Sequence, residues 1–214
     1  MSKVDSERLQ LDPMSVNKLL DDAFRLMDAG MMPESLAMFK KAVNIAPDSI
    51  EARVNMAACL AECGQSSDAL KELEVVISKH PTSFEARGNA AMIAMEVNNN
   101  EAAVKHFEGA VLLPQGRDWF DGHYNLANLL SERGAGWESQ AIQHYELALK
   151  LEPNSGETHS NFAACLRTAG RLHDAISHCH AATKCKPGHA PAWYNLAICE
   201  YNCGELEQVV AVIL

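Results

Sequence analysis

The sequence predicts an all-α chain, a right-handed α-solenoid of about six helix-turn-helix repeats with the last one incomplete. Three observations predict it. Asn55, Asn89, Asn125, Asn161 and Asn195 recur at separations of 34, 36, 36 and 34 residues, a period that marks stacked helix pairs, each unable to bury its apolar face alone. Alanine recurs at the eighth position of every repeat, as Ala23, Ala57, Ala91, Ala127, Ala163 and Ala197, where a larger side chain would hold two helices apart. Gly30, Gly64, Asn98, Gly134, Gly170 and Gly204 stand where the first helix (A) must turn into the second (B); a left-handed residue ends a helix there, and Asn is the usual substitute for Gly.

The elements follow in order. Residues 1–15 (MSKVDSERLQLDPMS) are polar, contain Pro13 and carry no helical apolar period, so they are expected to form a disordered or extended leader that ends with Ser15 as an N-cap. Repeats then run 16–49, 50–83, 84–117, 120–155, 156–189 and, in part, 190–214. Further small residues fall at the twentieth position (Ser35, Ala69, Ala103, Ala141 and Ala175, with Val209 in the last repeat) and at the twenty-seventh (Ala42, Val76, Ala110, Ala148, Ala182). Helix B ends before Pro47, Pro81, Pro153 and Pro187, since a residue preceding proline is disfavoured in the helical region. Repeat three has Pro114 one residue early, followed by an insertion of Asp118 and Trp119, and the turn GAGWESQ at 134–140 adds two residues to repeat four. Trp137 at that tip is expected to be an exposed anchor. The last repeat breaks off in the apolar VVAVIL without the polar capping helix solenoids require. Either a longer protein continues there or another chain covers the edge, which makes self-association through Val210 and Ile213 an expectation.

Composition narrows the partners. Of 214 residues, 18 are Lys or Arg and 28 are Asp or Glu, a net charge of −10. Such a chain gains nothing from phosphate neutralisation, which argues against nucleic acid and anionic membrane and for protein partners. The seven cysteines, in a chain with no secretory apolar region and no N-glycosylation acceptor, point to a reducing compartment in which thiols act as small apolar filler. A cytoplasmic setting is expected, the nucleus and cilium being compatible with it.

The motifs HYNLANLL, from His123, and AIQHYELALKLEP, from Ala141, together with WYNLA from Trp193, carry a resemblance to the tetratricopeptide repeat (TPR) family over some 200 residues. Asp22 and Glu200 depart from the pattern at normally apolar places. The resemblance implies that helix A of each repeat lines a concave groove and that the asparagines, at its sixth position, face a ligand.

A primary amide has an acceptor and two donors, so one Asn can hold the N–H and C=O of an extended peptide whatever its side chains are. The candidate peptide-binding residues are therefore Asn55, Asn89, Asn125, Asn161 and Asn195. This ladder resembles that of the TPR superhelix of O-linked N-acetylglucosamine transferase, in which groove asparagines clasp the substrate backbone; no catalytic domain is present here. Glu62, Glu96 and Glu132 join the candidate set, with Asp28 at the matching place in repeat one. They sit near the C-terminus of helix A, where the helix dipole disfavours an anion by up to about 1 kcal/mol, so helix stability does not explain them. An anionic groove prefers a basic or neutral segment. TPR co-chaperones grip acidic tails with Lys, Asn and Arg, but the equivalent positions here are Leu20, Phe24, Asn55, Glu85 and Asn89, which predicts no such binding.

Catalytic and metal signatures are missing. His173, His178, Cys179, His180, Cys185 and His189 invite a metal reading, yet residues two apart on a helix point to different sides and the spacing fits no common closed zinc site. Cys59 with Cys63 and Cys199 with Cys203 read as filler on the face packed against the preceding repeat. The expectation is a non-enzymatic protein-interaction module without metal or cofactor. The alternatives are a structural scaffold subunit of a larger assembly and the targeting arm of a longer enzyme.

Overall fold

The structure, a computed structural model, describes residues 13–204. Among them eleven α-helices and one 3-10 helix follow one another with no strand. The chain divides into two compact units between His106 and Phe107. The first unit contains α1 (Pro13–Asp28), α2 (Met32–Ile45), α3 (Ile50–Glu62), α4 (Ser66–Lys79) and α5 (Phe84–Glu96), and α6 (Asn100–Val111) carries the boundary. The second contains the 3-10 helix Pro114–Asp118, α7 (Phe120–Arg133), α8 (Glu138–Leu151), α9 (Gly156–Thr168), α10 (Leu172–Cys185) and α11 (Ala190–Asn202). Odd-numbered helices are the A helices of their repeats and even-numbered ones the B helices.

In each unit an A helix packs on its own B helix and on the next A helix: α3 meets α4 and α5, while α9 meets α10 and α11. The core of the first unit is built from Leu36, Phe39, Met56, Leu60, Leu73 and Val76, side chains that each contribute about 1.5–3 kcal/mol when fully buried. Phe107, Leu126, Leu130, Tyr145 and Leu166 do the same in the second. The small residues are where close approach requires them. Ala23, Ala57, Ala91, Ala127 and Ala163 have no exposed surface, and only Ala197, in the last repeat, is half-buried. Ser35 takes an alanine position by donating its hydroxyl to the Ala23 carbonyl at 2.8 Å, which satisfies a polar atom that would otherwise be stranded.

All six turn residues have positive φ, from 57° at Asn98 to 78° at Gly204. A Cβ on Gly30, Gly64 or Gly170 would meet nothing within 4 Å, so conformation rather than space demands glycine there. In the turn after α9, Gly170 N–H donates to Arg167 O at 3.1 Å and Arg171 N–H to Leu166 O at 2.8 Å, the paired closure of a Schellman motif. The longer turn after α7 differs: Gly134 has φ 75° with ψ −138°, a region nearly reserved for glycine.

Two expectations are corrected. Helix α1 begins at Pro13, because proline is tolerated in a first turn where N–H groups lack partners anyway, so Ser15 falls within the helix rather than at its N-cap position. Residues 1–12 and the terminal segment with Val209, Val210 and Ile213 lie outside the described residues. Trp137 is half-buried, with the Arg133 guanidinium 4.8 Å from its ring, a cation–π contact that covers the expected anchor. The insertion in repeat three is a packed plug. The Trp119 ring packs tilted against Phe107, their centroids 5.6 Å apart, and a Cβ on buried Gly116 would lie 2.0 Å from the Ala110 carbonyl oxygen.

A regularity invisible in residue identity ties the repeats together. The fourth residue of each A helix from α3 onward reaches the carbonyl six residues earlier: Arg53 Nε to Pro47 O at 2.7 Å, Arg87 Nε to Pro81 O at 2.8 Å and Trp193 Nε1 to Pro187 O at 2.8 Å. His123 Nε2 meets Arg117 O at 3.3 Å and His159 Nε2 meets Pro153 O at 3.0 Å. A carbonyl only accepts, so both imidazoles carry their proton on Nε2.

Candidate functional site

The candidate residues divide between the units. In the first, α3 and α5 lie side by side, and a cavity of about 320 Å³ opens between them, lined by Ala58, Ala61, Glu62, Asn89, Met92 and Glu96 among others. Its small walls follow from the sequence, since Ala58 and Ala61 add no bulk to α3. Its charge follows from where the helices stop. Glu62 is the last residue of α3 and Glu96 the last of α5, both exposed, so two carboxylates sit beside the partial negative charge of two helix C-termini. Asn89 is half-buried in the wall, and its carboxamide makes no hydrogen bond among the described residues. Asn55, one repeat earlier, donates from Nδ2 to its own helix at Glu51 O, 2.8 Å away. Its Oδ1 accepts no bond among the described residues.

The second unit uses the same register differently. Asn161 Nδ2 donates to the Tyr124 hydroxyl at 3.0 Å and to Asn128 Oδ1 at 3.2 Å, which spends both of its N–H groups on the preceding repeat. Tyr145 donates its hydroxyl to the same Asn128 Oδ1 at 2.6 Å. Burial holds the Tyr145 phenol well above its ordinary range, so it remains a donor. Asn195 Nδ2 donates to Ser160 O at 3.2 Å, with Ser160 Oγ at 3.5 Å. Thus two sixth-position amides in this unit stitch one repeat to the one before, through residues of its fifth and ninth positions. A cavity of about 260 Å³ beside the network is lined by Asn128, Ser131, Glu132, Tyr145, Asn161 and Ala164. Asn125 is half-buried on α7.

Sequence reasoning missed Tyr124 and Asn128. The first sits at the fifth position, where only Tyr194 in the last, partial repeat matches it, and the second at the ninth, where no other asparagine occurs, so neither stood out as the sixth-position ladder did. Asn128 keeps its Nδ2 group without a bond among the described residues, and Tyr124 accepts from Asn161 while its own proton remains available. The histidines and cysteines from His173 onward occupy different surroundings. His178 faces His159, Cys179 is fully buried in the core, and His173 and His180 are exposed. No described helix is long and apolar enough to cross a membrane.

Comparison with known proteins bears on the fold. The sequence model of the tetratricopeptide repeat matches residues 26–83. No curated protein sequence matches the chain. Among solved structures, the MamA protein is similar at 18% identity with a TM-score of 0.72, covering 82% of this chain and 94% of its own. YrrB, described as a TPR protein with an unusual peptide-binding site, is similar at 23% identity and a TM-score of 0.73, covering 81% of this chain and 88% of its own. MamA from Desulfovibrio magneticus RS-1 is similar at 15% identity and a TM-score of 0.71, covering 82% and 97%.

Proposed function

We propose that this chain, which has the tetratricopeptide-repeat fold, is a protein-interaction module that holds an extended basic or neutral peptide segment. The observation that carries the proposal is the cavity between α3 and α5. Asn89 lines it together with Glu62 and Glu96, its amide without a hydrogen bond among the described residues. A peptide backbone supplies one donor and one acceptor per residue, which a single carboxamide matches. A lysine or arginine side chain of the same peptide would lie between the two carboxylates and next to the helix C-termini, where both fields favour a cation. The likeness to a solved structure described as having a peptide-binding site supports this class of partner without identifying the partner.

In the second unit the proposed contacts are narrower. Asn161 and Asn195 have spent their donors on neighbouring repeats and offer a ligand only their carbonyl oxygens. Tyr124, Asn128 and Glu132 supply the complementary groups, and Asn125 belongs to the proposed set. The bonds of Asn161 and Asn195 also favour a second reading, in which this unit serves as a scaffold whose amides fasten the stack.

Titration with an extended lysine-containing peptide and its glutamate-containing counterpart tests the first reading. The basic peptide should bind about tenfold or more tightly at low salt, and the margin should narrow at high salt as screening shortens the reach of Glu62 and Glu96. Equal affinity for the two peptides would refute an anionic groove.

A further inference from the structure

We infer that the second unit is a pH-sensitive element: the His123–His144 and His159–His178 pairs that clamp its A helices to its B helices loosen in mild acid, while the first unit stays closed. The pairs occupy one repeat position twice. His123 Nδ1 lies 2.9 Å from His144 Nδ1, and His159 Nδ1 lies 2.8 Å from His178 Nδ1. At the matching place in the first unit Arg53 forms an ion pair with Glu72.

The hydrogen-bond pattern fixes the protons. His123 and His159 each donate Nε2–H to a backbone carbonyl, so in a neutral ring Nδ1 is a bare acceptor. His144 and His178 must then donate Nδ1–H across the pair. A first proton can enter such a pair on Nε2 of His144 or His178 and leave the bond intact, at the cost of a buried cation. A second has only the Nδ1 that accepts the bond, so its entry breaks the clamp and sets two cations in contact.

The surroundings oppose the charge. Burial and the neighbouring ring push His144 and His178 each down to about 4, and burial lowers His123. Asp118 favours protonation of His123. Around His178, Asp174 favours and Arg171 opposes it, and the Phe162 ring lies 4.4 Å away; Glu146 and Lys150 line a cavity together with His178. The first unit has one buried counterpart, His106, lowered by burial against the pull of Glu74 and with the help of Lys105 and Arg87.

Hydrogen exchange on the whole chain, followed by mass spectrometry from pH 7.5 to 5, tests the inference. Each ring held neutral makes opening more favourable by up to about tenfold per pH unit below its unfolded value near 6.5. Protection factors in 120–185 should therefore fall at least about tenfold more than those in 32–96. A parallel fall in both segments would overturn the inference. The double variant His144→Gln, His178→Gln keeps an Nε2–H donor for each partner and removes the titration of both B-helix rings, so the pH dependence of its protection should shrink markedly over that range. An unchanged pH dependence in the folded variant would also overturn it. Should the variant fail to fold, side-chain titration of the wild-type imidazoles by NMR decides: values below 6 for His144 and His178 are expected, and ordinary values near 6.5 contradict the clamp.

Discussion

The two units are built on one repeat and spend its polar positions in opposite ways. In the first, the fourth-position clamp is an ion pair between Arg53 and Glu72, and the Asn89 amide lines a cavity with no hydrogen bond among the described residues. In the second, the clamps are histidine pairs, and the Asn161 amide is consumed by Tyr124 and Asn128. A shared register therefore fixes where a side chain lies but not what its hydrogen bonds do. That depends on the neighbours the adjacent repeat supplies. Tyr124 and Asn128 give Asn161 something to hold, whereas the corresponding residues before Asn89 are Val54 and Ala58, which do not.

The largest expected difference between the units is their response to acid. His144 and His178 are neutral in the folded chain and bind protons more weakly there than unfolded, so their contribution is complete above about pH 6.5 and is lost as pH falls toward 4. Each ring accounts for on the order of 3 kcal/mol across that window. Installing the first unit's chemistry in the second, by His123→Arg with His144→Glu, should move much of the loss below pH 5 in a urea titration repeated at several pH values. Gly116→Ala should come next. Its Cβ would strike the Ala110 backbone, and a loss of about 2–3 kcal/mol in chemical denaturation is expected, with no counterpart in the first unit because no repeat there has the plug.

Asparagine variants sharpen the comparison further. Asn161→Ala strands the Tyr124 hydroxyl and one contact of Asn128 and should cost about 1–2 kcal/mol of stability. Asn89→Ala should cost under about 0.5 kcal/mol yet weaken binding of a basic peptide by about fivefold or more. The smallest effects belong to the turns. Gly170→Ala should lose about 1 kcal/mol by forcing a Cβ into the left-handed region, while Asn98→Gly should change the melting midpoint little, since relief of φ 57° is offset by a looser unfolded chain.

The sequence made the fold legible because helix pairs must meet at the same places in every repeat. The alanines of the eighth position and the six turn residues answer to backbone geometry, and geometry repeats. The candidate site was legible only as a register. Whether Asn161 is free or bonded depends on single residues one repeat away: Asn128 has no counterpart at its position in the other repeats, and Tyr124 is matched only by Tyr194. The fourth-position clamp was hidden for a related reason: Arg, His and Trp share an N–H at the needed reach, so function repeats while residue type does not. The histidine pairs carried a faint signal, in that His123 with His144 and His159 with His178 occupy matching places in successive repeats.

NMR of the asparagine side-chain amides during a titration with a basic extended peptide tests the central claim most directly. In the free protein the Asn161 and Asn195 amide protons should already be protected from solvent exchange and those of Asn89 should not. On peptide addition the Asn89 signals should shift and gain protection while the Asn161 donors hold. Saturating peptide that leaves Asn89 unmoved, or Asn161 amide protons that exchange as fast as those of Asn89, would contradict the division of labour between the two units.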